Sequence, residues 1–246
     1  MTASLPMYDM ASTRAANDRL WALIRAHYGY GPDDLDRVTD PHETWENKGL
    51  VLSQTCGLPY RSALHDKVCL VGTPDYGVRG CPPGYYKSYV VVRRDDPRRT
   101  LEDFRSGRLA RNDLRSQSGW AAIEGHLAEN GFDFSFVGQT LDTGSHAQSA
   151  RAVADRDADL AALDAVTWTL LKREAPFTRQ LRVLLSTRPT PGLPLITARE
   201  RDPQPLFRAF QTAIAALSAR DRQRLLLKGI VAIPSRAYLS EPLPPG

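Results

Sequence analysis

Apolar residues along the chain switch between short continuous runs and helical stripes, and that switching predicts the elements. "ASLPMY" (3–8) reads as a strand. In "TRAANDRLWALIRAHYG" (13–29), Leu20, Leu23, Ile24 and Tyr28 recur at the spacing of one helix face, and Gly29 is a stop signal. "GLVLSQT" (49–55) and "KVCLVGTP" (67–74) are buried-strand runs on either side of a helix near 57–65. "YYKSYVVVRR" (85–94) is a strand that runs out of this first region.

The next region repeats one strand-then-helix unit three times. "GRLARND" leads into "SQSGWAAIEGHLAEN". "FDFSFVGQTL" leads into "HAQSARAVADR", and "ADLAALD" into "AVTWTLLKRE". "LRVLLSTRPTPGLPLIT" (181–197) is extended and proline-punctuated, as a second crossing would be. "PLFRAFQTAIAAL" (205–217) is a helix returning to the first region, and "SRAYLSEPLPPG" reads as a loosely held tail. The pattern predicts an α/β protein of two lobes with a ligand cleft between them. Lobe 1 is 1–91 completed by 188–246, and lobe 2 is 92–187.

Composition narrows the function. The chain has 246 residues, 42% hydrophobic and 24% charged, with a net charge of +4. The arginines are spread rather than clustered, "RRDDPRR" (93–99) mixes them with acids, and no nucleic-acid motif is present. No apolar run nears the roughly 20 residues of a membrane span, and "MTASLPMYDM" is not a signal peptide. The sequence as written is therefore expected in the cytoplasm, or in the periplasm if an export signal precedes it. Cys69, inside an apolar run, is expected in the core. Cys56 and Cys81 sit in loops, where they would pair in an oxidising compartment or stay reduced in the cytosol.

The chemistry lies where the second region's strands end and its helices begin, because ligands of open α/β sheets sit at those ends. The first such turn holds Asn112 and "RSQSG", with Ser116, Gln117 and Ser118. The second is "DTGSHAQS", with Ser145 and His146, and the third is "LDAVTW", where Asp164 precedes a helix. Ser116 and Ser118 read either as plain caps of a surface helix or as part of an anion cradle. Three donor-rich helix starts at one place favour the cradle. His146 adds a donor that turns cationic if a bound dianion raises its pKa; a surface helix position is the other reading. Asp164 is either a plain N-cap or an acceptor for a P–OH or amine on the ligand.

In order along the chain, "LVLSQTCGLPY", "VCLVGTPDY…GCPPGYYKSYVVVRR", "N…SQSG", "GSHAQS", "ADLAALDAVTW" and "PGLPLIT" resemble the phosphate/phosphite/phosphonate substrate-binding proteins of ABC transporters. The resemblance implies a type II periplasmic-binding-protein fold closing on its ligand. It implies that Ser116, Gln117, Ser118 and His146 hold phosphonate oxygens. Aromatic residues of the first lobe would cover the ligand. Tyr8 is the best positional match, with Thr55 and Tyr60 as further candidates and Tyr86 or Tyr89 behind them. The expected function is binding of a small phosphorus oxyanion by a monomer, with no metal or cofactor. Its expected partner is that anionic ligand, with an ABC permease if the protein serves a transporter, and neither nucleic acid nor membrane. The alternatives are a sensor, or an enzyme on the same scaffold with Cys56 as nucleophile and His146 as acid/base.

Overall fold

The computed structural model describes residues 1–244. Its strands are β1 (Thr2–Ser4), β2 (Leu50–Gln54), β3 (Val68–Asp75), β4 (Tyr85–Tyr86), β5 (Ser88–Arg93), β6 (Arg108–Arg111), β7 (Gln139–Asp142), β8 (Leu160–Asp164), β9 (Leu181–Ser186), β10 (Thr190–Pro191), β11 (Leu195–Ala198) and β12 (Gly229–Val231). The helices are α1 (Arg14–Tyr28), α2 (Pro41–Trp45), α3 (Gly57–Pro59), α4 (Ala122–Glu129), α5 (His146–Ala154), α6 (Ala165–Glu174), α7 (Pro203–Ala216), α8 (Ala219–Leu225) and α9 (Ser235–Leu239). One compact unit is Met1–Tyr85 with Pro191–Glu241. The other is Tyr86–Thr190 with Pro242–Pro244.

The first unit is built on a five-stranded sheet in the order β1-β2-β11-β3-β12. β1 is parallel to β2, whereas β11 lies antiparallel between β2 and β3, and β12 antiparallel on the outside of β3. Leu50, Val51 and Leu52 of β2 are all buried, as a strand covered on both faces requires. Helices α1 and α7 share a core with this sheet through Leu20, Trp21, Ile24, Leu206, Phe210 and Ile214. α1 stops where the sequence places its stop. Gly29 adopts φ 79°, and its N–H bonds to the Arg25 carbonyl.

The second unit is built on the order β7-β6-β8-β5-β9. β6 is parallel to β7 and β8, and β5 is antiparallel to β8 and β9. Val90, Val92, Leu109, Trp120, Ile123, Leu127, Leu160 and Ala162 form its core. This arrangement sets the ends of β6, β7 and β8 side by side on one edge of the sheet, each followed by a helix start.

Several sequence expectations change. The strand expected over 3–8 ends at Ser4, because Pro6 opens a 3-10 turn through Tyr8. The strand expected to leave the first region is broken at Lys87, and β5 belongs wholly to the second unit. "FDFSFVGQTL" is a strand only from Gln139, since Phe134–Phe136 form a 3-10 turn capped by Asp133. Cys69 is half-buried rather than in the core, and its thiol donates to the Arg199 carbonyl at 3.2 Å. The tail is not loose over Ser235–Leu239. There α9 buries Tyr238, whose hydroxyl meets Thr73 Oγ1 at 2.5 Å.

Candidate functional site

In the second unit the sequence "RNDLRSQSGW" makes a tight turn after β6. Ser116 is extended and its side chain accepts from the Gly119 N–H at 3.0 Å, which starts a single π-helical turn, Gln117–Ala121, leading into α4. π turns widen the helix start and recur at functional sites. Ser116, Gln117 and Ser118 are all buried. Gly119 gives the Asn112 side chain its room. A Cβ there would lie 1.8 Å from Asn112 Oδ1 and 3.2 Å from His146 Cε1. Glycine thus lets the Asn112 turn and the start of α5 close against each other.

α5 begins in the next turn. Ser145 caps it by accepting from the Gln148 N–H at 3.2 Å, and Thr143 Oγ1 and Ser149 Oγ lie 2.7 Å apart behind it. Ser118 Oγ and His146 Nε2 are 2.8 Å apart, so a side-chain hydrogen bond joins the two helix starts. The imidazole is withdrawn from water, and this burial pushes the His146 pKa down to about 4, with the Ala162 backbone opposing it. His146 is therefore neutral at pH 7 in the unliganded protein. The neutral ring and the Ser118 hydroxyl share the Nε2–Oγ hydrogen bond, with the donor set by the ring's tautomer, and among the described residues no hydrogen bond of good geometry reaches the buried His146 Nδ1.

The third helix start is Asp164. Its Oδ1 accepts from the Val166 and Thr167 N–H groups at 2.7 and 3.0 Å, the N-cap of α6. Asp164 stands opposite Ser88 in the β5–β8 register, and the Ser88 hydroxyl donates to the Ser118 carbonyl at 2.8 Å. Ser88 thus ties the Asp164 cap to the serine turn. Sequence reasoning missed Ser88, because its signal is a strand pairing that no local motif carries. The structure brings Ser116, Gln117, Ser118, Ser145, His146 and Asp164 to one edge of the sheet. Hydroxyls and helix-start N–H groups, the kinds of donor that can hold an oxyanion, are gathered there.

In the first unit, Tyr8 is buried with its ring edge-on to Tyr76 at 4.8 Å, and Thr13 Oγ1 donates to its carbonyl at 2.6 Å. Tyr8 and Tyr76 line a cavity of about 20 Å³ with Asn17 and Gln54, room for a single water. Gln54 Nε2 donates to the Tyr76 hydroxyl at 3.2 Å. Thr55 is buried next to Gln54, its N–H bonded to the Pro194 carbonyl. Tyr60 departs from the expectation. It is part of the hydrophobic core, edge-on to Tyr238, and its hydroxyl donates to Ser235 Oγ at 3.0 Å. A ring so placed supports α9 rather than presenting itself to a ligand.

No group of three or more His, Cys, Asp or Glu side chains suited to a metal occurs among the described residues. No helix among them is long and apolar enough to cross a membrane.

The family model of the ABC-transporter phosphonate periplasmic substrate-binding protein matches residues 52–234. PhnD1 from Prochlorococcus marinus (MIT 9301), solved in complex with methylphosphonate, is similar with a TM-score of 0.73 and 16% identity, over 96% of this chain and 94% of that one. XAC2383 from Xanthomonas citri, bound to chloride ion, gives 0.69 and 19%, over 98% and 95%. A binding-protein component of an ABC phosphonate transporter from Pseudomonas aeruginosa gives 0.66 and 16%, over 96% and 82%. At such identities the structural likeness is one of fold, the α/β fold of type II periplasmic binding proteins. No curated protein matches the chain.

Proposed function

This chain belongs to the phosphonate periplasmic substrate-binding family of ABC transporters, and on that premise we propose that it binds a small phosphorus oxyanion: a phosphonate, phosphite or phosphate. The family is one of solute-binding proteins, whose partners are a small ligand and a transporter permease. The ligand of this chain is our reading, and one observation carries it. The Ser118–His146 hydrogen bond joins two helix starts around a glycine whose Cβ would lie 1.8 Å from Asn112 Oδ1 and 3.2 Å from His146 Cε1.

The proposed contacts are the Ser116–Ser118 turn, Ser145 and His146, with Asp164 as acceptor for a ligand P–OH or ammonium. A neutral His146 and hydroxyls that rotate suit a partly protonated oxyanion. Tyr8 and Thr55 belong to the same proposal as the first unit's share, and Tyr60 is dropped from it. PhnD1 was solved with methylphosphonate, and XAC2383 with chloride in one structure and ATP in another, so anions recur among proteins of this fold. An expectation of action as a monomer stands with the proposal.

Thermal unfolding with methylphosphonate, 2-aminoethylphosphonate, phosphite, phosphate and sulfate tests the reading. At about 100 times Kd, a ligand that binds only the native protein adds roughly 2.7 kcal/mol. The expected result is stabilisation by one phosphorus oxyanion, lost in Ser118→Ala and in His146→Ala, with the ligand recovered unchanged. Absence of any shift across the five anions overturns it, and conversion of the ligand would bring forward the enzyme reading.

A further inference from the structure

The second unit contains a cavity of about 520 Å³ beside α4, lined mainly by Glu124, Gly125, Leu127, Phe132 and Phe134, with Pro242–Pro244 of the chain end forming one wall. None of the oxyanion-cradle residues lines it. Its size is that of a small-molecule site. Three features set it apart from a packing defect.

The first is a carboxyl group without a partner. Glu124 is 8% exposed, and its Oε2 is buried with no hydrogen-bond partner. A buried charged acceptor left unmet is costly, which is why such groups are nearly always paired. Arg111, the cation whose field reaches it, is bonded to Asp142 at 2.5 and 3.2 Å and lies over the Trp120 ring.

The second is Gly125 in the interior of α4. A Cβ there would meet nothing within 4 Å. Glycine costs a helix roughly 0.5–1 kcal/mol against alanine, and sterics on this chain do not demand it. It keeps the cavity open. The third is the wall. Phe134 is set edge-on against Trp120 at 4.6 Å, and Phe132 packs on Phe136 at 4.9 Å, so the aromatic faces are held in place. The titratable lining groups are Glu124 and Asp133, both acids, and no Lys, Arg or His is among the lining residues.

We propose that this cavity binds an amphiphilic amine, a protonated ammonium carried on an aromatic or branched aliphatic body, with Glu124 as its counter-ion. The apolar body fills the space over Gly125 between the phenylalanines, and the ammonium pairs with the Glu124 carboxyl once that side chain turns its unpartnered, buried Oε2 towards the cavity. The Phe134 ring adds a cation–π contribution, the Phe132 ring already carrying the Arg105 guanidinium at 5.1 Å. Anionic compounds are repelled by the same two acids. Burial holds the Glu124 pKa up, at about 7, against the pull of Arg111, so uptake of an ammonium ion near pH 7 releases part of a proton.

The test titrates the intact protein with 2-phenylethylamine, 2-phenylethanol and phenylacetate, followed by calorimetry and by the fluorescence change expected from Trp120. The amine is expected to bind, the alcohol at least ten times more weakly, and the acid not at all. Glu124→Gln should weaken the amine at least tenfold. Gly125→Leu, which fills the opening with a good helix former, should abolish binding. Both variants should melt cooperatively and keep their response to methylphosphonate if the wild type has one. Equal binding of amine and alcohol, unchanged amine affinity in Glu124→Gln, or no binding of the amine up to millimolar concentration would each overturn the proposal. The oxyanion reading stands or falls separately, on the anion titrations.

Discussion

At the scale of single residues, two titrating side chains of the second unit pull stability in opposite directions over one pH range. Glu124 has a folded-state pKa of about 7, above its ordinary value. Its contribution is therefore full below about 4.5 and lost as pH rises through 7. His146 has a folded-state value of about 4, below its ordinary value. Its contribution is present above about 6.5 and lost as pH falls through 4. Urea unfolding from pH 4 to 8 separates them. Between pH 5 and 8 the wild type should lose stability that Glu124→Gln keeps, by roughly 1–2 kcal/mol, less than the full linkage value because solvent reaches the cavity. His146→Gln should flatten the acid limb instead. Neither shift was legible in the sequence, since both arise from neighbours brought by the fold. Ser116, Ser145 and Asp164 were legible as helix starts because capping chemistry is local. Tyr60 was misplaced because the partners that claim it, Tyr238 and Ser235, are far along the chain.

At the scale of elements, the start of α4 depends on a residue that has no side chain. Gly119→Ala sets a methyl group 1.8 Å from Asn112 Oδ1 and 3.2 Å from His146 Cε1, so the Asn112 side chain must turn away and the His146 ring must shift, which disturbs the Ser118–His146 hydrogen bond. The expected outcome is a destabilisation of about 1–3 kcal/mol, with at least a tenfold loss of oxyanion affinity, read by unfolding and calorimetry. Element boundaries show what pattern alone can carry. α1 was readable because one apolar face and a Gly29 stop agree with each other. "FDFSF" alternates like a strand, but Asp133 accepts from the Ser135 N–H and turns the chain, so Phe132, Phe134 and Phe136 all reach the same core. α8, β12 and α9 were not expected as elements because each is short and owes its place to tertiary contacts, such as Asp221 of α8 with Arg19 of α1 at 2.6 and 2.8 Å.

At the scale of the whole molecule, the two-lobed reading followed from the order of strands and helices, and the family match covers most of the same span. The ligand was less legible, because hydroxyls and backbone N–H groups accept any small oxyanion and the discriminating contacts are few. What the order of strands did not reveal is the direction of β11. It is antiparallel to both neighbours and joins β2 to β3 across the middle of the first sheet.

That placement makes the history of the chain matter. As synthesis proceeds, β2 and β3 are finished more than a hundred residues before the strand that must lie between them. Through that interval each carries a bare edge, able to accept a strand from elsewhere. Residues 86–190, by contrast, already hold every strand of the second sheet. In refolding followed by pulsed hydrogen exchange, amides of β5 and β8 should be protected first and those of β2 and β3 later; the reverse order would refute this. The first region to be made is the last to close, and for that time it depends on whatever keeps nascent chains apart.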